Sequence, residues 1–252
     1  MGLFDVTGRV IVVTGAGSGI GRGIALGLAA LGAHVFGMDR DTSSLAETGT
    51  LAEGHVFQAI ACDVAVETDV EAAFAKVLAM AGRVDVVFAN AGIAGHPLDI
   101  DNLDFAEWRR VQSINLDGTF LTMRAAARIM KPQGSGKIIA TASTWGIRGT
   151  RVAPFTAYAA SKGALVNLTR QLALELALTG VTVNAIAPGG FATNMANGVL
   201  DQAAADMLLS QMPMAKFVTP GAMVGPAVFL ASAASDYVTG ILLPVDGGYL
   251  AQ

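Results

Sequence analysis

Only one of the 252 residues is a cysteine, Cys62, so no internal disulfide is possible. That suits a reducing compartment. Cys62 has no partner at a ligand or nucleophile spacing, and a small buried residue on a strand is the expected role. Charged residues make up only 14%, and the net charge is −4. The lysines and arginines are scattered singly, with no basic stripe, which argues against nucleic acid as a partner. A long apolar run is also missing. One long stretch without Asp, Glu, Lys or Arg, Phe217–Ser235, is broken by Pro220 and Pro226, and it falls short of the continuous apolar span of about 20 residues that crosses a bilayer. The opening Met1-Gly-Leu-Phe-Asp5 has neither a basic region nor an apolar signal core. A soluble, cytoplasmic protein with no membrane partner is the expectation.

Apolar residues, by contrast, are plentiful, at 53%, enough for a large core. Short β-branched runs at Val10–Val13, His34–Met38, His55–Cys62, Val84–Ala89, Lys137–Ala142, Val181–Ala187 and Ile241–Val245 read as strands. Helical stretches lie between them near Gly21–Leu31, Thr68–Ala81, Asp104–Met130, Tyr158–Thr179 and Gly221–Ala231. Continuous rather than alternating apolar runs indicate strands covered on both faces. Strand–helix alternation then predicts an α/β fold: one Rossmann-type, doubly wound parallel sheet of about seven strands, with helices on both faces. No linker or repeat divides residues 1–252, which read as a single nucleotide-binding catalytic domain. Residues 190–214 exceed an ordinary loop and carry helix-compatible Ala, Leu and Met, so a short helical substrate lid is expected there.

The first strand leads into Thr14-Gly-Ala-Gly-Ser-Gly-Ile-Gly21. Gly15, Gly19 and Gly21 stand where a strand-to-helix turn needs missing side chains, for the bend, for approach to a pyrophosphate and for packing. Their Gly-xxx-Gly-x-Gly spacing departs from the Gly-x-Gly-xx-Gly dinucleotide fingerprint. Asp39 closes the second strand, where a carboxylate hydrogen-bonds an adenosine ribose and repels a 2′-phosphate; this favours NAD over NADP. Arg40, beside it, keeps the phosphorylated cofactor open. Asp63-Val64 follows the third strand and can meet the adenine edge, although an Asp there is also an ordinary turn residue.

Tyr158 and Lys162 are four apart on a helix continued by Leu165, Leu168, Leu172 and Leu176, so phenol and ammonium share a face. A phenol with a pKa of about 10 is a poor base at neutral pH, and a neighbouring cation favours its ionised form. The pair makes sense as a proton donor and acceptor, although such pairs are common on helices that do no chemistry.

Taken in order, the glycine turn, Asn90-Ala-Gly92, Asn115, Ser143, Tyr158-xxx-Lys162 and Pro188-Gly189 make the chain resemble the short-chain dehydrogenase/reductase family, from Thr14 to Val245-Asp-Gly-Gly248. The resemblance implies that Tyr158 is the acid/base, that Lys162 lowers its pKa and binds the nicotinamide ribose, and that Ser143 hydrogen-bonds the substrate oxygen. Asn115 would hold a water linking Lys162 to solvent. Ser18, Ile20, Val64, Asn90, Ala91 and Gly92 would line the cofactor, and Pro188, Gly189, Phe191 and Thr193 would approach its nicotinamide. A homotetramer with its long helices at the subunit contacts is also implied. Two departures stand out: Ala89 replaces a second Asn, and Thr219–Pro226 lacks the usual acidic residues, with Pro226 set to kink or delay the following helix.

Specificity is expected from Thr144, Trp145, Ile147 to Pro154, Phe155, Gly190, Phe191 and the lid residues Met195, Met207 and Met212. Arg148 and Arg151 could pair with an anionic substrate but read more simply as solvated surface, as does His96. The implied activity is hydride transfer between NAD and a secondary alcohol or ketone, with sugars, polyols or sugar acids as candidates. An NADPH-dependent reductase of 3-oxoacyl thioesters is the alternative. A non-catalytic dinucleotide sensor is the reading of another class, and the complete Asn115, Ser143, Tyr158, Lys162 set opposes it.

Overall fold

Strands that are apolar at every position need cover on two faces, and the computed structural model, which describes residues 2–193 and 201–252, shows both covered. Side chains alternate across a strand. Val10 and Val12 of β1 (Val10–Thr14) therefore enter one core, and Ile11 and Val13 enter the other. The same parity splits Val87 from Phe88 in β4 (Val86–Ala89) and Ile138 from Ile139 in β5 (Gly136–Thr141). With β2 (His34–Asp39), β3 (Phe57–Ala61), β6 (Val181–Pro188) and β7 (Leu242–Val245), these form one parallel sheet of order β3-β2-β1-β4-β5-β6-β7. Burying each Val, Ile or Phe of this kind contributes about 1.5–3 kcal/mol.

Helices α1 (Gly19–Ala30) and α8 (Val224–Ala231) cover one face through Ile24, Leu28, Ala227 and Leu230. Helices α3 (Glu67–Ala81), α5 (Gly118–Gln133) and α6 (Thr156–Leu176) cover the other through Phe74, Val77, Met123, Met130 and Leu176. The order reverses between β1 and β4, and a crevice opens outside the carboxyl ends of strands at such a switch point.

Two elements depart from the expectations, and a third behaves as expected. A helix absent from the sequence reading, α2 (Thr42–Leu51), follows β2. Its Ser/Thr/Gly-rich run has little helical signal and buries only Leu45 and Thr48. The Asp41 side chain caps it, accepting from the backbone N–H groups of Ser43 and Ser44, which is the one local cue present. The stretch expected as one helix over Asp104–Met130 is α4 (Phe105–Gln112), a π turn over Ser113–Asp117, and α5. Pro226 does delay α8: a 3-10 turn at Pro220–Met223 precedes it, and the proline sits in the first helical turn, where its missing N–H costs nothing. Within the expected lid, α7 (Gln202–Ser210) is helical, whereas Met195 and the rest of 194–200 lie outside the described residues.

Candidate active site

At the carboxyl end of β1, Gly15 (φ +70°) and Gly19 (φ +52°) adopt left-handed backbone that favours glycine. A Cβ on Gly21 would stand 2.1 Å from the Gly15 carbonyl oxygen, so the turn closes only on glycine. Ser18, extended and exposed, stands as N-cap of α1 without a side-chain cap bond, which leaves the amide-rich end of that helix open to an anion. Asp39 accepts from the Gly17 N–H through Oδ2 (2.9 Å) and from the Asp41 N–H through Oδ1 (3.0 Å). Helix α2 steadies this loop from behind. Thr48 Oγ1 donates to the Ala16 carbonyl (3.0 Å), and Arg22 Nε donates to Thr48 Oγ1 (2.9 Å).

The three central strand ends are tied by a polar network that the sequence reading did not foresee. Thr14 Oγ1 accepts from the Asn90 and Ala91 N–H groups (3.0 and 3.1 Å). Asn90 Nδ2 donates back to the Thr14 carbonyl (3.0 Å), and Thr141 Oγ1 donates to Asn90 Oδ1 (3.1 Å). Thr14 opens the glycine motif and Thr141 lies in no motif, but nothing local pointed to this role for either, because the partners come from three strands distant in sequence.

Next to this network, α6 presents Tyr158 and Lys162. The lysine is buried, and its Nζ donates to the Thr141 carbonyl (2.7 Å), 5.7 Å from the centre of the Tyr158 ring. Burial brings the Lys162 pKa down to about 8. The expected lowering of the Tyr158 pKa by Lys162 is not found. Burial pushes the half-buried phenol upward, with only the Ser143 hydroxyl pulling against it. Ser143, just past β5, caps the turn Thr144–Gly146 by accepting from the Trp145 N–H (3.2 Å). Asn115 is fully buried in the π turn. Its Oδ1 accepts from the Ile93 N–H (2.8 Å), and its Nδ2 donates to the Ile93 carbonyl (2.9 Å) and Ser161 Oγ (3.1 Å). The side-chain amide is thereby occupied in tying the loop after β4 to α6.

The same loop is fastened a second time, by a residue that the sequence reading passed over. Buried Glu107 accepts from the His96 N–H (2.8 Å) and from Arg110 Nε and Nη2 (2.7 and 2.8 Å), with His96 Nδ1 at 3.1 Å. The Arg110 guanidinium, aided by the His96 amide and opposed by burial, holds the carboxyl at about 2. His96 is at the surface as expected, yet it is anchored there.

Aromatic side chains flank the phenol. Trp145 stacks on Phe155 (centroids 5.5 Å apart, planes at 23°), and both stand edge-on to Tyr158, at 6.1 and 6.5 Å. Arg148 is exposed but not free: its guanidinium lies 5.1 Å over the Tyr249 ring, and Nη1 donates to the Tyr249 carbonyl (3.3 Å). Met212 is buried with Val152, Leu208 and Tyr249, while Met207 is exposed.

A groove of about 250 Å³ runs along the strand ends. It is lined by Gly15, Ser18, Gly19, Ile20, Gly21, Asp39, Arg40, Asp63, Val64, Asn90, Ala91, Gly92, Tyr158, Lys162 and Thr193, each of which the sequence had nominated. Cys62, Ile93, Ile114, Thr141 and Ala142 join them unannounced. Burial and the carboxylates of Asp69 and Asp63 push the Cys62 thiol up to about 12, so it is inert packing. Pro188, Gly189 and Phe191 do not line this groove. Phe191 is turned into the core against the α8 side, and a Cβ on Gly189 would stand 2.7 Å from Asp246 Cα. A glycine cradle at a helix N-terminus, a carboxylate closing β2 and a groove across the switch point fit an extended dinucleotide. Among the described residues no group of acidic, His and Cys side chains is arranged to hold a metal ion.

These features define a dinucleotide-dependent oxidoreductase fold with a phenol, an ammonium and a serine hydroxyl gathered beside the cofactor groove. Comparison with known proteins agrees. The sequence profile of the family described as Enoyl-(Acyl carrier protein) reductase matches residues 15–250. The chain is 37% identical to 2-dehydro-3-deoxy-D-gluconate 5-dehydrogenase of Bacillus subtilis (strain 168), over 99% of this chain and 97% of that one. It is 39% identical to cis-4-hydroxycyclohexanecarboxylate dehydrogenase of Sinomonas cyclohexanicum, over 96% and 97%. The crystal structure of a gluconate 5-dehydrogenase from Burkholderia cenocepacia J2315 in complex with NADP and tartrate superposes with a TM-score of 0.92, at 36% identity and covering 99% and 98% of the two chains. The chain belongs to the short-chain dehydrogenase/reductase family, and it is an oxidoreductase that uses a nicotinamide cofactor.

Proposed function

We propose that the protein interconverts a secondary alcohol and its ketone, with NAD as the preferred cofactor and Tyr158 as the proton donor and acceptor. The carrying observation is the convergence of Tyr158, Ser143 and Lys162 at one end of the glycine-cradled groove. The bound cofactor supplies one chemical service, accepting or returning hydride at the carbinol carbon. The chain does the rest. Ser143 and Tyr158 hold the substrate oxygen between them, and Tyr158 passes the hydroxyl proton. Lys162, fixed on the Thr141 carbonyl, stands where the nicotinamide ribose is expected, and Asn115 keeps the loop after β4 in register.

A phenol with a raised pKa keeps its proton at neutral pH, which suits it to protonating a ketone oxygen. Alcohol oxidation, which needs the phenolate, is therefore expected to gain rate as pH rises, and reduction to lose it. Tyr158→Phe leaves the ring packing intact and removes the proton; turnover should fall by at least about 10³-fold while cofactor affinity stays within a few fold. Substantial residual turnover would refute the assignment.

Asp39 supports the preference for NAD, since its carboxylate lines the groove beside Gly17. Exposed Arg40 on the same groove favours the second reading, use of NADP, as found bound in the Burkholderia relative. In Asp39→Ala the NAD-to-NADP ratio of kcat/KM should fall at least about tenfold; an unchanged ratio would show that Asp39 does not read the ribose. Relatives named for a sugar acid and for a carbocycle support a substrate with a ring or polyol hydroxyl. A lid over 190–214, including α7, a cytoplasmic location and a homotetramer complete the reading. The exposed Phe105 and Phe120 on α4 and α5 support subunit contacts there, and a stable monomer by light scattering would refute them.

A further inference from the structure

Resting on the alcohol–ketone reading of this site, we propose that the substrate is a neutral carbocyclic alcohol or ketone with an apolar ring face, and not an open-chain sugar acid. The wall beside the phenol is the first reason. Phe155 is buried and stacked behind Trp145, so the surface left open next to Tyr158 belongs to a half-buried indole. The indole is backed on one side, where its ring packs against the cluster of Val152, Leu208, Met212 and Tyr249.

Beyond β6, a Cβ on Gly190 would meet Met212 Cε and Sδ at 2.7 Å and Phe217 Cδ1 at 2.9 Å, so buried Met212 and the partly exposed Phe217 ring close over the glycine. Exposed aromatic surface rewards the C–H face of a ring. It gives nothing to a chain with a hydroxyl on every carbon, which would lose water without gaining partners.

Charge is the second reason. A substrate carboxylate needs a cation, and three of the described cations at this end are engaged, with exposed Lys216, next to Phe217, outside that set. Arg148 is committed to Tyr249, and Arg110 to Glu107. Lys162 points to the Thr141 carbonyl. A carboxylate seated against the indole would be desolvated and unpaired.

The test is a substrate panel on the purified protein with NAD and with NADP, read as reduced-cofactor absorbance. Cyclohexanol and cis-1,2-cyclohexanediol are set against gluconate and galactitol. The ring alcohols should lead in kcat/KM by at least about tenfold. The reverse ranking, or parity, overturns the inference and leaves the oxidoreductase reading standing. No turnover of any alcohol, or of cyclohexanone and 5-ketogluconate with reduced cofactor, overturns both. Trp145→Leu then asks whether the indole sets the preference, through a ratio of substrates that does not depend on how much enzyme is folded. The ring-to-chain ratio should drop at least about fivefold, and an equal loss on both classes removes Trp145 from the specificity.

Discussion

Lys162 is expected to cost the protein stability, and the cost can be measured. Its pKa falls from 10.5 to about 8 because burial disfavours the charged form, a difference corresponding to about 3 kcal/mol. Replacing it as Lys162→Met removes that burden, fills most of the volume with an apolar chain, and forfeits the bond to the Thr141 carbonyl, worth about 1 kcal/mol. The variant should therefore be more stable than the parent by about 2 kcal/mol near pH 7, although turnover is lost. The pH dependence has a definite sign. Between pH 8 and 10.5 the unfolded chain holds more protons at this position than the folded one, so parent stability rises with pH across that window and the variant's advantage shrinks toward zero. Below pH 8 both states are protonated and the gap is constant. Urea unfolding of the protein without added nucleotide, followed by tryptophan fluorescence from pH 6.5 to 10 at one protein concentration, measures both quantities. A variant less stable at pH 7, or a gap that ignores pH, would refute the assignment of a strained, buried ammonium.

Two further outcomes follow from local geometry. Ala215 is the one non-glycine with positive φ (45°) among the described residues, sitting between α7 and the segment that returns to Phe191; Ala215→Gly should raise stability by about 0.5–1 kcal/mol, read as a higher urea midpoint, and a decrease would show that the left-handed turn is not strained. Glu107 owes its low pKa to Arg110 and the His96 amide, so Glu107→Gln should cost at least about 2 kcal/mol at neutral pH. Because a depressed acid contributes above its unfolded pKa of about 4.5, that difference should close as pH falls toward 2, and acid titration of both proteins would expose a gap that does not close.

Much of the site was legible before any coordinate. Gly15, Gly19 and Gly21 announce a tight strand-to-helix turn by composition, Asp39 by its place at a strand end, and Tyr158 and Lys162 by helical spacing. These are local signals, carried by residues within a turn or a strand of one another. Helix α2 escaped because its stability comes from Asp41 and from the burial of Thr48 under the glycine loop, and not from an apolar period. The break in the Asp104–Met130 helix escaped because one π turn barely disturbs the apolar pattern. It sets Asn115 where its amide meets Ile93 and Ser161, residues 22 and 46 positions away.

By itself, then, the sequence determined the layered α/β architecture, since strands apolar at both parities have no other way to bury themselves, and it nominated the candidate reacting groups. The tertiary structure decided how those groups stand. It welded three strand ends through Thr14, Asn90 and Thr141, and it aimed Lys162 at a carbonyl instead of at the phenol. It also pushed the Tyr158 pKa up where spacing alone foresaw it going down. Helical spacing reports which side chains share a face, but burial and hydrogen-bond partners depend on elements folded in from elsewhere, and those set the charge each group carries.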